Sequence, residues 1–121
     1  MSIALTQIGL LDPAILATAR RLQGWREDFT HYFTDGGTDA PETIRGIVLT
    51  AAYAIHDAMY QAGNPVAPTA LADRMHADLT LLCNLLWLGL TIFEAAVIYE
   101  AVRRFAVYHF GPGTDPAWQP R

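Results

Sequence analysis

The sequence predicts an all-α fold, a single-domain bundle of three to four helices whose C-terminal helix is long and mostly buried. Three segments carry apolar residues at helical spacing. Residues that start or stop helices, chiefly Pro, Gly and Asp, separate these segments. No alternating run outlasts the helical period of its neighbours, so no strand is predicted. We expect residues 1–110 to form the helical domain and residues 111–121, which contain Pro and Gly, to form an irregular tail.

Two amphipathic helices are expected before the long one. Asp12 followed by Pro13 is typical of an N-cap and a first helical position, and we expect this helix to end near Phe33. Asp39 is expected to cap the second helix, with Pro41 in its first turn. The predicted buried stripe of the second helix consists of Ile44, Ile47, Val48, Ala51, Ile55, Met59 and Ala62.

The third segment, residues 69–110, contains no proline and has an almost wholly apolar middle. At 100° per residue its polar side chains share one ribbon, made of Asp73, His76, Thr80, Asn84, Trp87, Thr91 and Glu94. We expect this ribbon to face solvent and to tolerate polar substitution, while Leu82, Leu86 and Phe93 are buried. Beyond Tyr99 the charged residues change to the opposite face, which predicts a kink or a second helix near that residue.

The composition indicates a partially covered surface. Apolar residues make up 52% of the chain and charged residues 17%, where about 25% charged is ordinary. A small domain needs much polar surface, so the missing charge predicts that protein or lipid covers part of it. The net charge of −4, with no basic cluster larger than a pair, argues against a nucleic-acid surface. The first residues do not resemble a signal peptide, and we expect a cytoplasmic location.

The candidate contact residues lie mainly on the second helix. Opposite its predicted buried stripe is a second, semi-apolar face that contains Leu49, Tyr53 and Tyr60, with His56 beside it. Tyrosine-rich faces are typical of protein contacts. Two tryptophans are further candidate anchors, Trp87 on the ribbon and Trp118 in the tail. The favoured function is a non-enzymatic protein-interaction module, acting as a homo-oligomer or as a small subunit of a larger assembly, without catalytic residues or cofactor.

A second interpretation places the third segment in a membrane. Leu79–Val97 is close to the length that a bilayer requires, with Asn84 and Glu94 as its strongly polar members. Arg103 and Arg104 would then lie at the cytoplasmic edge. In that case the protein is a small membrane-associated subunit.

A third interpretation starts from the adjacent His56 and Asp57. The run Leu49–Asp57 resembles the helix of HD-type metal-dependent phosphohydrolases, in which an adjacent His and Asp ligate metal. The resemblance implies His31 and Asp78 as the remaining ligands by their order along the chain. The match is short and lacks the Gly that usually follows the pair. Because the predicted stripe turns His56 and Asp57 away from the core, we expect neither to carry metal chemistry.

Overall fold

The computed structural model describes residues 6–34, 40–62 and 70–105. Most of these residues are helical, which confirms the predicted all-α helical bundle. The α-helices are α1 (Pro13–Ala19), α2 (Thr50–Ala62), α3 (Ala70–Leu88) and α4 (Ile92–Phe105). Two short 3₁₀ helices occupy Ile8–Leu10 and Glu27–His31. Four two-residue strands are also present, β1 (Thr6–Gln7), β2 (Phe33–Thr34), β3 (Thr43–Ile44) and β4 (Ile47–Val48).

Helix α1 begins as predicted but ends early. The Asp12 side chain accepts a hydrogen bond from the Ala14 amide at 2.7 Å, which is the expected N-cap. The helix ends at Ala19 and does not continue to Phe33, so the predicted length is wrong. The following backbone turns at Gly24, whose φ of +82° lies in the region that favours glycine. A 3₁₀ helix and β2 then replace the predicted last turns.

The predicted start of the second helix is also wrong, because a β-hairpin occupies its first turns. Strands β3 and β4 pair antiparallel around Arg45 and Gly46, whose φ values of 51° and 79° match the type I′ turn of tight hairpins. Helix α2 therefore begins at Thr50. The predicted cap, Asp39, lies outside the described residues. Strands β1 and β2 form a second antiparallel pair, so the expectation of no strands is corrected as well.

The C-terminal segment is divided at Gly89, not near Tyr99 as predicted. The φ of Gly89 is +118°, which ends α3, and Tyr99 lies inside α4. Thr91 and Glu94 form a capping box for α4: the Glu94 amide donates to Thr91 Oγ1 at 3.1 Å, and the Thr91 amide donates to Glu94 Oε1 at 2.8 Å. The two helices run antiparallel, with Tyr99 Oη 3.6 Å from Met75 Sδ.

This division separates the stretch Leu79–Val97 into two helices. Within the described ranges, no helix combines the length and apolar character that are needed to cross a membrane.

Helix α2, not the longest helix, lies at the centre of the core. All of its residues except Met59 and Ala62 are buried. It packs against α1, α3 and β2, and α4 packs on α3. Small side chains such as Ala52, Ala54 and Ala58 allow this close approach from several sides.

The polar ribbon of the C-terminal segment faces the core at its centre, contrary to prediction. Asn84 and Thr80 are buried, whereas Leu86 and Phe93 are 38% and 77% exposed. Helical periodicity gave the angles between these side chains but not the direction of the core. Asn84 is buried because the folded chain supplies hydrogen-bond partners for its side chain, as described next.

Candidate functional site

A buried ionic centre joins α2, α3 and α4 at Asp78. This carboxylate is fully buried and accepts three hydrogen bonds of 2.6 Å. His56 Nε2 and Tyr60 Oη, one turn apart on α2, both reach Oδ1. Arg103 Nη1, near the end of α4, reaches Oδ2. One side chain thus fastens three helices to each other.

The electrostatics of this centre keep Asp78 ionised. Burial raises the pKa of its carboxyl, but the hydrogen bond and charge of His56 and the hydrogen bonds of Tyr60 and Arg103 together lower it below the ordinary value. An ionised carboxylate only accepts, so His56 Nε2 carries the hydrogen of their shared bond. Burial and the neighbouring carboxylate raise the pKa of the Tyr60 hydroxyl, which therefore remains protonated and donates to Asp78.

Arg74 adds a second guanidinium beside this centre, and this side chain is buried. Its Nη2 donates to the backbone carbonyl oxygen of Arg103 at 2.6 Å, and its buried Nε has no hydrogen-bond partner among the described residues. The carbonyls in the last turn of a helix carry partial negative charge, which favours a cation there. Asp78 and the end of α4 thus offset the charge of the two guanidiniums.

Two buried amide side chains hold irregular backbone against the helices. Gln61 of α2 accepts from the Phe33 amide at 3.1 Å and donates to the Phe33 carbonyl at 2.6 Å, as a neighbouring strand would. Asn84 of α3 makes the same paired contact with Gln23, at 2.9 Å in both directions. These contacts explain why Asn84 is buried, and why the chain after α1 takes a path that its own periodicity does not predict.

The direct contact between His56 and Asp78 was not predicted from the sequence. The structure brings His56 and Asp78 together, but both are buried, and the nitrogen that faces Asp78 is engaged. Asp57, also buried, accepts from Thr34 Oγ1 at 2.6 Å and so contacts β2. The expectation that His56 and Asp57 face away from the core is wrong, because α2 is surrounded. The burial of His56 and Asp57 could have been predicted only by knowing that all faces of α2 are covered.

The four residues that the HD resemblance selects do not converge. His31 is exposed on the 3₁₀ helix, while Asp57 points towards β2. Among the described residues, no group of three or more His, Cys, Asp and Glu side chains is arranged to hold a metal ion. The absence of enzymatic activity stays a prediction.

The predicted contact face of α2 is part of the core. Leu49, Tyr53, His56 and Tyr60 are all at least 94% buried within the chain, because both faces of α2 are covered. The Tyr53 hydroxyl donates to the Pro41 carbonyl at 2.9 Å. Burial, with the charge of Glu42, raises its pKa to about 12. The prediction that these four side chains form an exposed face is therefore wrong.

The two tryptophan candidates have different outcomes. Trp87 is 54% exposed on α3, and the Arg21 guanidinium lies over its ring at 5.3 Å from the centroid. It remains available to a partner. Trp118 lies outside the described residues.

The exposed apolar surface is concentrated on α3 and α4. Of the nine large apolar side chains that are exposed in the described ranges, seven belong to these two helices. They are Met75, Leu79, Leu86, Trp87, Ile92, Phe93 and Val97. We call this set the apolar face. Sequence reasoning missed it because a helix that is apolar on nearly three sides does not reveal which side is left uncovered.

Comparisons with known proteins identify no relative. No protein-family model matches the chain, and no curated protein and no solved structure is significantly similar to it. Function is therefore inferred from the geometry of the described residues.

Proposed function

We propose that this protein is a non-enzymatic protein-interaction module that associates through the apolar face of α3 and α4. It acts as a homo-oligomer or as a small subunit of a larger assembly, in the cytoplasm. The single observation that supports this proposal is the concentration of seven exposed large apolar side chains on two adjacent helices. Exposed apolar residues that occur singly are normal on monomeric domains, whereas their concentration on two helices that pack together is typical of a contact site.

The exposure of individual side chains supports the proposal that a partner covers this surface. Ile92 and Phe93, in the first turn of α4, are each 77% exposed, and Val97 follows one turn later at 54%. Burying apolar area stabilises association by about 25 cal/mol per Å² before the cost of immobilising the partners. Phe93 and Trp87 are aromatic anchors of the kind that dominate contact energies.

The interior supports the same proposal in a different way. The centre at Asp78 has three satisfied contacts and joins three helices, so its chemistry is used for holding α3 and α4 in place. Helices α3 and α4, fixed to each other in this way, present their outer side chains with little loss of conformational entropy on binding.

The proposal is tested by the size of the full-length protein in a detergent-free lysate of the cells that express it. The wild-type chain is expected to elute well above its own 13.3 kDa. Phe93→Glu, which places a charge on the apolar face, is expected to return most of the protein to the mass of the single chain.

Leu10→Glu is the matched control, because Leu10 is 75% exposed and lies on the first 3₁₀ helix, away from the apolar face. It is expected to leave the wild-type size unchanged. A wild-type chain that elutes at 13.3 kDa would contradict the proposed function, as would a large species that Phe93→Glu does not alter.

A further inference from the structure

We propose that the partner is a second copy of this chain, and that two copies pack their α3 helices antiparallel about a two-fold axis. This inference rests on the proposed function and identifies the partner that binds the apolar face. The contact is made by what we call the α3 stripe, which consists of Met75, Leu79, Leu82 and Leu86.

The spacing of the α3 stripe is self-complementary. Its members are separated by four, three and four residues, the spacing that keeps side chains on one narrow face of a helix. This sequence of intervals is the same in both directions. In an antiparallel pair, Met75 of one copy therefore lies opposite Leu86 of the other, and Leu79 lies opposite Leu82. A two-fold axis between residues 79 and 82 satisfies all four positions at once, as an isologous contact requires.

The exposure of the α3 stripe shows that its outer side is accessible to a partner. Met75, Leu79 and Leu86 are 38–43% exposed, and Leu82 is partly buried. Leu82 packs against the core, while Met75, Leu79 and Leu86 remain accessible, as expected for a helix that is covered from one side only.

The charge distribution permits two copies to meet here. The chain carries a net charge of −4, which opposes self-association in general. The α3 stripe, however, contains no charged residue, and its exposed neighbours His76, Cys83 and Trp87 are not acidic. Contact through the α3 stripe itself therefore buries no charged side chain of this helix, and the exposed carboxylate nearest to it among the described residues is Glu100, which follows Tyr99 on α4.

The exposed apolar area of α3 and α4 taken together is close to what one partner of a stable dimer buries. The seven side chains of the apolar face expose on the order of 700 Å², if a fully accessible large side chain contributes about 200 Å². A standard-size contact buries about 800 Å² on each partner. Because α3 and α4 are antiparallel and joined by a short turn, Ile92 begins α4 close to the end of the stripe at Leu86. Ile92 can thus extend the α3 contact at that end, whereas Val97 lies on a different side of α4.

The chain contains a natural reporter for this geometry. Cys83 is the sole cysteine and is exposed, one residue beyond Leu82. With the two-fold axis between residues 79 and 82, the two Cys83 Cα atoms lie about 12 Å apart, from 1.5 Å rise per residue and an interhelical distance of 8–10 Å. Such a separation suits a bismaleimide with a spacer of about 10 Å and is too long for a disulfide, whose Cα atoms lie within about 7 Å.

The experiment combines sedimentation and cross-linking of the purified full chain without detergent. We expect a species of twice the 13.3 kDa mass, and a covalent dimer with the bismaleimide that is lost in Cys83→Ser. Leu79→Glu is expected to weaken dimerisation at least tenfold and to remove the cross-link, whereas Leu10→Glu changes neither. Far-UV circular dichroism verifies that Leu79→Glu is folded, and the cross-link in the wild-type chain tests the geometry without any change to the α3 stripe.

Other results would overturn the inference. A disulfide formed rapidly under mild oxidation would indicate parallel helices with the two Cys83 side chains facing each other. A dimer that Leu79→Glu does not weaken would place the contact elsewhere. A purified chain that stays monomeric, while the lysate complex persists and depends on Phe93, would exclude a second copy but leave the proposed function intact. Monomers in both settings would refute both, and Leu79-dependent binding to phosphatidylcholine vesicles by a monomer would identify lipid as the occupant.

Discussion

Asp78 is the residue on which the arrangement of the last three helices depends. Its carboxylate holds His56 and Tyr60 of α2 and Arg103 of α4, with all three partners at 2.6 Å. Replacing one member of such a buried group leaves the others without a counter-charge or a hydrogen-bond partner. The resulting loss of stability is larger than the net stabilisation that the intact group contributes. Asp78 is therefore the sharpest single position at which to test the interior.

We predict that Asp78→Asn lowers the free energy of unfolding at pH 7 by about 3–5 kcal/mol. Asp28→Asn, which alters an exposed pair with Arg26, is the control and is expected to cost less than about 1 kcal/mol. Urea denaturation of the two variants makes the comparison. Equal effects would show that the centre at Asp78 contributes no more than a surface ion pair.

The same residue predicts how stability depends on acid. The folded pKa of Asp78 lies below the ordinary 3.8 of the unfolded chain, so its contribution is present above that pH. It is lost as the pH falls through the folded pKa. We expect the wild-type chain to lose stability more steeply than Asp78→Asn as the pH is lowered below 3.8. Parallel slopes for the two proteins in that range would contradict the prediction.

Asn84 reverses an expectation drawn from the sequence. Its buried side chain makes two hydrogen bonds with the backbone of Gln23, each of which contributes about 0.5–1.5 kcal/mol, and truncating a buried side chain also leaves a cavity. Leu86 is 38% exposed, so truncating it should cost less than the 2–5 kcal/mol of a fully buried leucine. We predict that Asn84→Ala melts at a lower temperature than Leu86→Ala. The opposite order would restore the view that Asn84 faces solvent.

The turn between α3 and α4 shows how one element boundary depends on another part of the chain. Gly89 has φ +118°, and Arg45 of the β3–β4 hairpin donates through Nη2 to its carbonyl at 3.3 Å. Arg45 also makes a bidentate ion pair with Glu94, at 2.7 and 2.9 Å. Glu94 in turn caps α4, and its contacts with Arg45 and Thr91 lower its pKa to about 2. The hairpin and the start of α4 therefore stabilise the same turn.

We predict that Gly89→Ala destabilises the protein by about 1–3 kcal/mol, since only glycine adopts this φ readily. The added Cβ would also lie 3.2 Å from Ile47 Cδ1. Gly46→Asn is the control, because Gly46 has φ +79°, which asparagine tolerates, and no heavy atom lies within 4 Å of a Cβ built there. Thermal denaturation should place Gly46→Asn nearer to the wild type. The reverse ranking would show that the Gly89 turn can relax.

At the level of the whole molecule, self-association should couple to stability. If folded chains pair and unfolded chains do not, raising the protein concentration favours the folded state by mass action. We predict that a tenfold increase in concentration raises the Tm of the wild-type chain by about 2–4 °C. Leu79→Glu should show a Tm that does not vary with concentration, and Leu10→Glu should behave as the wild type does. A constant wild-type Tm at concentrations where the dimer is populated would contradict coupling of pairing to folding.

Local signals in the sequence predict the structure where neighbours along the chain decide it. The Asp12–Pro13 start of α1 is such a case, because an N-cap acts within its own turn. The helical nature of residues 70–105 is another, since proline is absent and apolar residues recur at helical spacing. The β3–β4 hairpin was missed because Ile44, Ile47 and Val48 fit a helical stripe as well as a strand. What distinguishes a strand from a helix here is the turn at Arg45 and Gly46, in which both residues have positive φ.

By itself the sequence determined that the chain is helical, where its first helix begins and that it carries too little charge for an ordinary surface. Only the tertiary structure decided which side of each helix is inside. A helix that is apolar on three sides can be turned in several ways, and the choice depends on partners far along the chain: Gln23 for Asn84, and His56, Tyr60 and Arg103 for Asp78. With such partners these polar side chains are buried, and leucines such as Leu79 and Leu86 are left on the surface.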